Sequence, residues 1–148
     1  MVLPINLDDD GYKFYKTLNE DIKLTSDEYG VWDMVFEETS NGKDLVNITG
    51  KDSLVNGCCI AIMTRYEELK DNPTYTGFGC RVHELIKSNR NSMTEYKIEL
   101  FVTDTLEKIR RVKNVNEVLV MKSDTNDYIV HFNITCHDDS TVKGVVGL

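Results

Sequence analysis

The sequence predicts an α+β fold: a small N-terminal β region, two long helices with a short helix between them, and a C-terminal antiparallel β-hairpin or three-stranded sheet. Three observations carry this. Leu54 to Met63 is apolar on nearly every side, as in a helix covered by other elements. Met93 to Ile109 repeats apolar residues at helical spacing. Tyr128 to Cys136 alternates Val130, Phe132, Ile134 and Cys136 with His131, Asn133 and Thr135, the period of a strand with one apolar face.

Taken in order, residues 1–49 read as a β or extended arm and 50–148 as the main domain. The acidic start ends in Asp8-Asp9-Asp10-Gly11 and lacks the closing Glu of a calcium loop, so it reads as solvated. Tyr12 to Tyr15 (YKFY), Asp21 to Leu24 (DIKL) and Val31 to Phe36 (VWDMVF) are short strand candidates. Ser40-Asn41-Gly42 is a turn into Asp44 to Ile48, which could pair back as a hairpin.

The central helix is expected to open at Ser53 as N-cap, with Asp52 at the positive end of the dipole and a charged tail from Arg65 to Asp71. Asn72-Pro73 forbids further helix, and Gly77 and Gly79 flank Phe78 in a turn. Arg81 to Ile86 is expected to be a short helix. The second long helix opens at Ser92, where Glu95 would complete a capping box. Met93, Tyr96 and Leu100 join Ile98, Phe101, Val102, Thr105, Leu106 and Ile109 in its packing stripe, and Lys108, Arg110 and Arg111 end it. Strands are expected over Val115–Met121, Tyr128–Cys136 and Thr141–Val146, the last after an Asp138-Asp139 turn.

With 25 acidic and 17 basic side chains, net −8, the chain lacks the basic footprint of nucleic-acid binding, which makes protein partners the expectation. No apolar run is long enough to span a bilayer and the start does not read as a signal peptide, so a cytosolic protein with no membrane partner is expected. Cys58, Cys59, Cys80 and Cys136 have neither zinc-knuckle nor CxxC spacing and read as buried hydrophobes. No metal site and no cofactor is expected.

The segment Asn72 to Ile86, NPTYTGFGCRVHELI, with the buried helix before it and the capped helix, basic residues and hairpin after it, resembles the baseplate-wedge and sheath-initiator family of contractile phage tails and injection systems. This is the family also labelled "phage lysozyme-like", and the resemblance runs from about Asp44 to Asp139. Arg111 in Ile109-Arg110-Arg111-Val112 matches the arginine that family members carry at the end of the long helix, while their proline is missing here.

The resemblance implies a structural, non-enzymatic protein of the virion tail baseplate, assembled in the host cytoplasm. Six copies would surround the hub, contact other wedge proteins and tail tube or hub proteins, and offer a terminal hairpin on which the sheath protein polymerises. A hairpin with an open edge templates an added strand, which makes Val118, Val120, Val130, Phe132 and Ile134 candidate partner-binding residues. Arg81, Arg110 and Arg111 are candidates for interface ion pairs, since guanidinium holds carboxylates bidentately.

The other reading is a muramidase, which needs two carboxyls on one substrate. Glu95 and Asp104 are nine residues apart, about 900° of rotation and about 13.5 Å of rise, and cannot share a sugar. His83-Glu84 diverge as helical neighbours and are expected to brace the turn against the central helix, with Glu84 as a lone acid in a cleft the alternative. His131 and His137 read as solvated.

Overall fold

The computed structural model describes residues 21–26, 32–124 and 127–148. The candidates at Asp8–Gly11 and Tyr12–Tyr15 lie outside the described residues. The chain divides into two compact units, 1–56 and 57–148.

Among the described residues of the first unit, six short strands form three two-stranded ribbons. Strands β1 (Asp21–Ile22) and β6 (Asn47–Ile48) pair, as do β2 (Leu24–Ser26) with β3 (Trp32–Met34) and β4 (Phe36–Thr39) with β5 (Gly42–Leu45). All three pairs are antiparallel. The residues between ribbons, Lys23, Val35 and Val46, close a ring of backbone hydrogen bonds. Lys23 N donates to Val46 O (2.8 Å), Val46 N to Val35 O (2.9 Å) and Val35 N to Lys23 O (3.0 Å). The expected strand through VWDMVF is therefore broken at Val35, where the chain leaves one ribbon and enters the next. The Ser40-Asn41 turn has Gly42 at φ 116°, a conformation that L side chains disfavour.

Helix α1 (Gly50–Met63) begins in this unit and ends in the next. It opens three residues before the expected cap, because Gly50 takes a positive φ of 65° and turns the chain into the helix. Ser53 is thus a buried residue of the helix interior. Asn56 Nδ2 donates to Asp21 Oδ2 (2.9 Å) and to Ile22 O (3.1 Å), tying the helix to β1.

The second unit places Cys58, Cys59, Ala61 and Ile62 of α1 in its core and leaves Ile60 exposed. The helix stops at Met63, so Arg65–Asp71 is irregular turn and not a helical tail. Pro73–Tyr75 forms a 3₁₀ turn capped by Asn72 Oδ1, which accepts from Thr74 N at 3.0 Å. The returning chain pairs Arg65 with Cys80 in an isolated parallel bridge. Gly79 has φ 106°, and a Cβ there would lie 2.3 Å from Arg65 O, so only glycine permits this crossing.

A second 3₁₀ turn, Arg81–Glu84, replaces the expected Arg81–Ile86 helix. Helix α2 (Ser92–Glu107) follows, capped by Asn91, whose Oδ1 accepts from Thr94 N at 2.9 Å. Glu95 pairs with Lys122 instead of completing a capping box (3.2 Å). Ile98, Val102, Thr105 and Leu106 are buried, whereas Met93, Tyr96 and Leu100 are exposed. The apolar residues of α2 thus fall on two faces, and only one of them meets the core.

The sheet has the order β7 (Val112–Lys122), β8 (Tyr128–Cys136), β9 (Thr141–Gly147), all antiparallel. Register shifts at Val112/Asn114 and Val115/Glu117 bulge the start of β7. The inner face buries Val118, Val130, Phe132, Ile134 and Val146. Phe132 pairs with Gly144, and a Cβ at Gly144 would come within 2.2 Å of the Phe132 ring. Here the glycine is required for space, since the ring lies on the opposing backbone.

Candidate interaction surface

Strand position decides which backbone groups can meet a partner. The reciprocal bonds between Tyr128 and Leu148 (2.8 and 3.3 Å) mark a hydrogen-bonded pair of β8 and β9. In an antiparallel ladder such pairs alternate, so Val130, Phe132 and Ile134 bond to β9, while Ile129, His131 and Asn133 bond to β7. Strand β8 is central and saturated on both sides. The expectation that Val130, Phe132 and Ile134 bind a partner is therefore corrected: their side chains are core and their backbones are spent in the sheet.

The same alternation turns the N–H and C=O groups of Val118, Val120 and Lys122 outward on the β7 edge. Val118 keeps its side chain buried and offers backbone only, and Val120 is half-buried. The β9 edge is less open, because Cys59 Sγ of α1 approaches Val145 O at 3.9 Å. This β9 contact escaped sequence reading, since nothing in the cysteine spacing indicates which strand faces the thiol.

The three arginines occupy different settings. Arg81 grips Glu84 through Nε (3.1 Å) and Nη2 (3.2 Å) and lies over the Phe101 ring at 5.1 Å. Its hydrogen bonds and charge pairing with Glu84 raise its pKa further, so its fork is engaged within the chain. Arg111 is half-buried, with Nη2 3.0 Å from the point where a Cβ on Gly57 would sit. Arg110 has an exposed side chain, and its carbonyl accepts from His137 Nε2 at 2.7 Å.

The other titratable groups are also held. His83 Nε2 donates to Ile62 O at 3.0 Å, bracing the turn against the end of α1 as expected. Asp104 pairs with Lys108 at 2.7 Å and raises the pKa of that lysine. The Glu84, Glu95 and Asp104 carboxylates each have a different basic partner. Burial pushes the Cys58 and Cys59 thiols up to about 12; at Cys58 the neighbouring Cys59 adds to this and Arg111 opposes it. Such thiols stay protonated at neutral pH, poor nucleophiles and poor metal ligands. Among the described residues no group of three or more His, Cys, Asp or Glu is arranged to hold a metal ion, and no helix is long and apolar enough to cross a membrane.

No protein-family model and no curated protein matches the sequence. Among solved structures, the chain is similar to a Geobacter sulfurreducens protein provisionally named a tail lysozyme, with a TM-score of 0.60 and 17% identity. The match covers 71% of this chain and 95% of that one. The two share a fold. At this identity the likeness carries no residue roles from one to the other.

Proposed function

We propose that this chain is a structural component of a contractile tail, of a phage or a related injection system: a baseplate-wedge protein on which the sheath begins to polymerise. The observation that carries the reading is the open β7 edge, where Val118, Val120 and Lys122 turn unpaired backbone groups outward beside a firmly packed core. An incoming strand of the sheath protein gains main-chain hydrogen bonds there without unfolding anything. The fold shared with a protein named as a tail lysozyme supports the setting. Six copies around a hub, contacts with other wedge and tube proteins, and a place in the virion baseplate belong to this proposal. Arg110 and Arg111 remain its candidate ion-pairing residues.

Deleting everything from Val115 onward would remove Val118, Val130, Phe132, Ile134 and Val146 from the core, so a point substitution is the sharper test. Val120→Pro removes an outward donor while sparing the β7–β8 ladder. The native chain is expected to seed polymerisation of its sheath protein, and the proline variant to fold but not seed. Equal seeding by both would discard strand addition on β7.

The muramidase reading rests on one observation, the name of the structural neighbour. Clearing of cell-wall suspensions by the purified chain, lost in Glu84→Gln or Glu95→Gln, would establish it. Failure to clear at high enzyme load would retire it.

A further inference from the structure

The outer face of the C-terminal sheet differs from the polar surface that His131, Asn133 and Thr135 suggest. Leu119, Met121 and Val145 are 50%, 48% and 49% exposed, and Ile129 lies among them. The register arranges this face in rows across β7, β8 and β9. One row is Glu117, Asn133, Lys143; the next is Leu119, His131, Val145; the third is Met121, Ile129, Gly147. Asn116 joins the polar end, accepting from Thr135 Oγ1 at 3.0 Å, so that end is hydrogen-bonded within the chain.

The geometry points to a second copy of this chain as the occupant of the face, around a two-fold axis that runs between the sheets along β8. Such an axis carries β7 of one copy over β9 of the other. The outer positions of each row then meet in exchanged order, while Asn133, His131 and Ile129 of β8 each meet their own counterparts at the axis. Glu117 faces Lys143 of the second copy, and the exchange repeats on the other side of the axis. Leu119 faces Val145. Met121, the longest apolar side chain, faces Gly147, which leaves it room. Neither Glu117 nor Lys143 has an ion-pair partner within its own chain among the described residues. Aligned sheets cross at about 30°, which keeps rows matched near the axis.

A patch of three strands by three or four rows covers about 14 by 20 Å at ordinary strand spacings, or about 300 Å² per copy. That is well below a standard interface of about 800 Å² per partner, so the pairing is a weak one. It acts where copies are concentrated or already tethered, and it uses a face distinct from the β7 edge proposed for sheath contact. The two ideas can fail separately.

Sedimentation equilibrium of the full chain from roughly 10 µM to 1 mM is the test, with circular dichroism confirming that each variant is folded. The native chain should show reversible dimer formation. Glu117→Lys should weaken it roughly tenfold or more, because like charges then oppose each other twice. Adding Lys143→Glu to that variant should restore dimerisation, and Leu119→Asp should abolish it. A native chain that remains monomeric to the top of the range overturns the pairing and gives the face to a different protein. Dimers indifferent to the charge reversal, or not rescued by the double exchange, overturn this geometry.

Discussion

The two units of this chain are held by different physics. In the N-terminal unit the described strands bury no side chain, and Phe36 is exposed; the definition of these strands comes from backbone ladders and the ring through Lys23, Val35 and Val46. The C-terminal unit buries Ile62, Ile98, Val102, Leu106, Val130, Ile134 and Val146 almost completely. Apolar burial contributes about 25 cal/mol per Å², whereas a backbone hydrogen bond made in place of one to water nets only about 1 kcal/mol. The second unit should therefore be the last to open, and the first should depend on its few bonds individually.

The largest contrast is between two phenylalanines. Phe132→Ala should cost about 3–5 kcal/mol by deleting a buried ring, while Phe36→Ala should stay within about 0.5 kcal/mol; urea denaturation would measure both. Comparable losses would abolish the distinction between the units. Next comes an alkaline effect confined to the core. The Cys58 and Cys59 thiols titrate near 12 when folded against an ordinary 9.0 when unfolded, so the folded state holds more protons in that window. The contribution of these thiols should be constant below pH 9 and stability should fall as pH rises from 9 towards 12, with a shallower fall in Cys58→Ala.

Smaller effects sharpen the picture. Gly144→Ala should cost about 1–3 kcal/mol, since the new methyl meets the Phe132 ring. Asn56→Ala should remove about 1–2 kcal/mol through its bonds to Asp21 and Ile22, with hydrogen exchange rising at β1 and β6 and unchanged in β8. A uniform rise would mean that the units open together. Lys108→Ala, which breaks an exposed pair with Asp104, should cost no more than about 0.5 kcal/mol.

Legibility from sequence followed the same division. The alternation in the sequence marks β8 at its true ends, Tyr128 and Cys136, because an alternating strand against a core writes its period into the residues. For helix α2 the sequence indicates a start at Ser92, one residue past the true cap Asn91, and one apolar stripe where there are two: helical spacing reveals that faces exist, not which one meets the core. The Ser53 cap failed for a related reason. A serine before an apolar run resembles a cap, yet Gly50 could already supply the turn. Val35 could not be recognised as a break, since nothing local distinguishes a valine inside a strand from one where three ribbons meet. At the candidate surface, the terminal hairpin was legible from its period and turn. Strand order was not: of the five strand residues expected at the surface, it leaves Val118 and Val120 on an open edge and puts Val130, Phe132 and Ile134 on the central strand.

The ring through Lys23, Val35 and Val46 has a consequence for how this part of the molecule can vary. Each spoke leaves the hub through its own pair of strands, and the hub needs only one donor and one acceptor from each of three residues. A spoke such as β4–β5 could be lengthened, shortened or tipped with a foreign sequence while the centre keeps its three bonds, which makes the Ser40-Asn41 tip a natural place to graft a reporter.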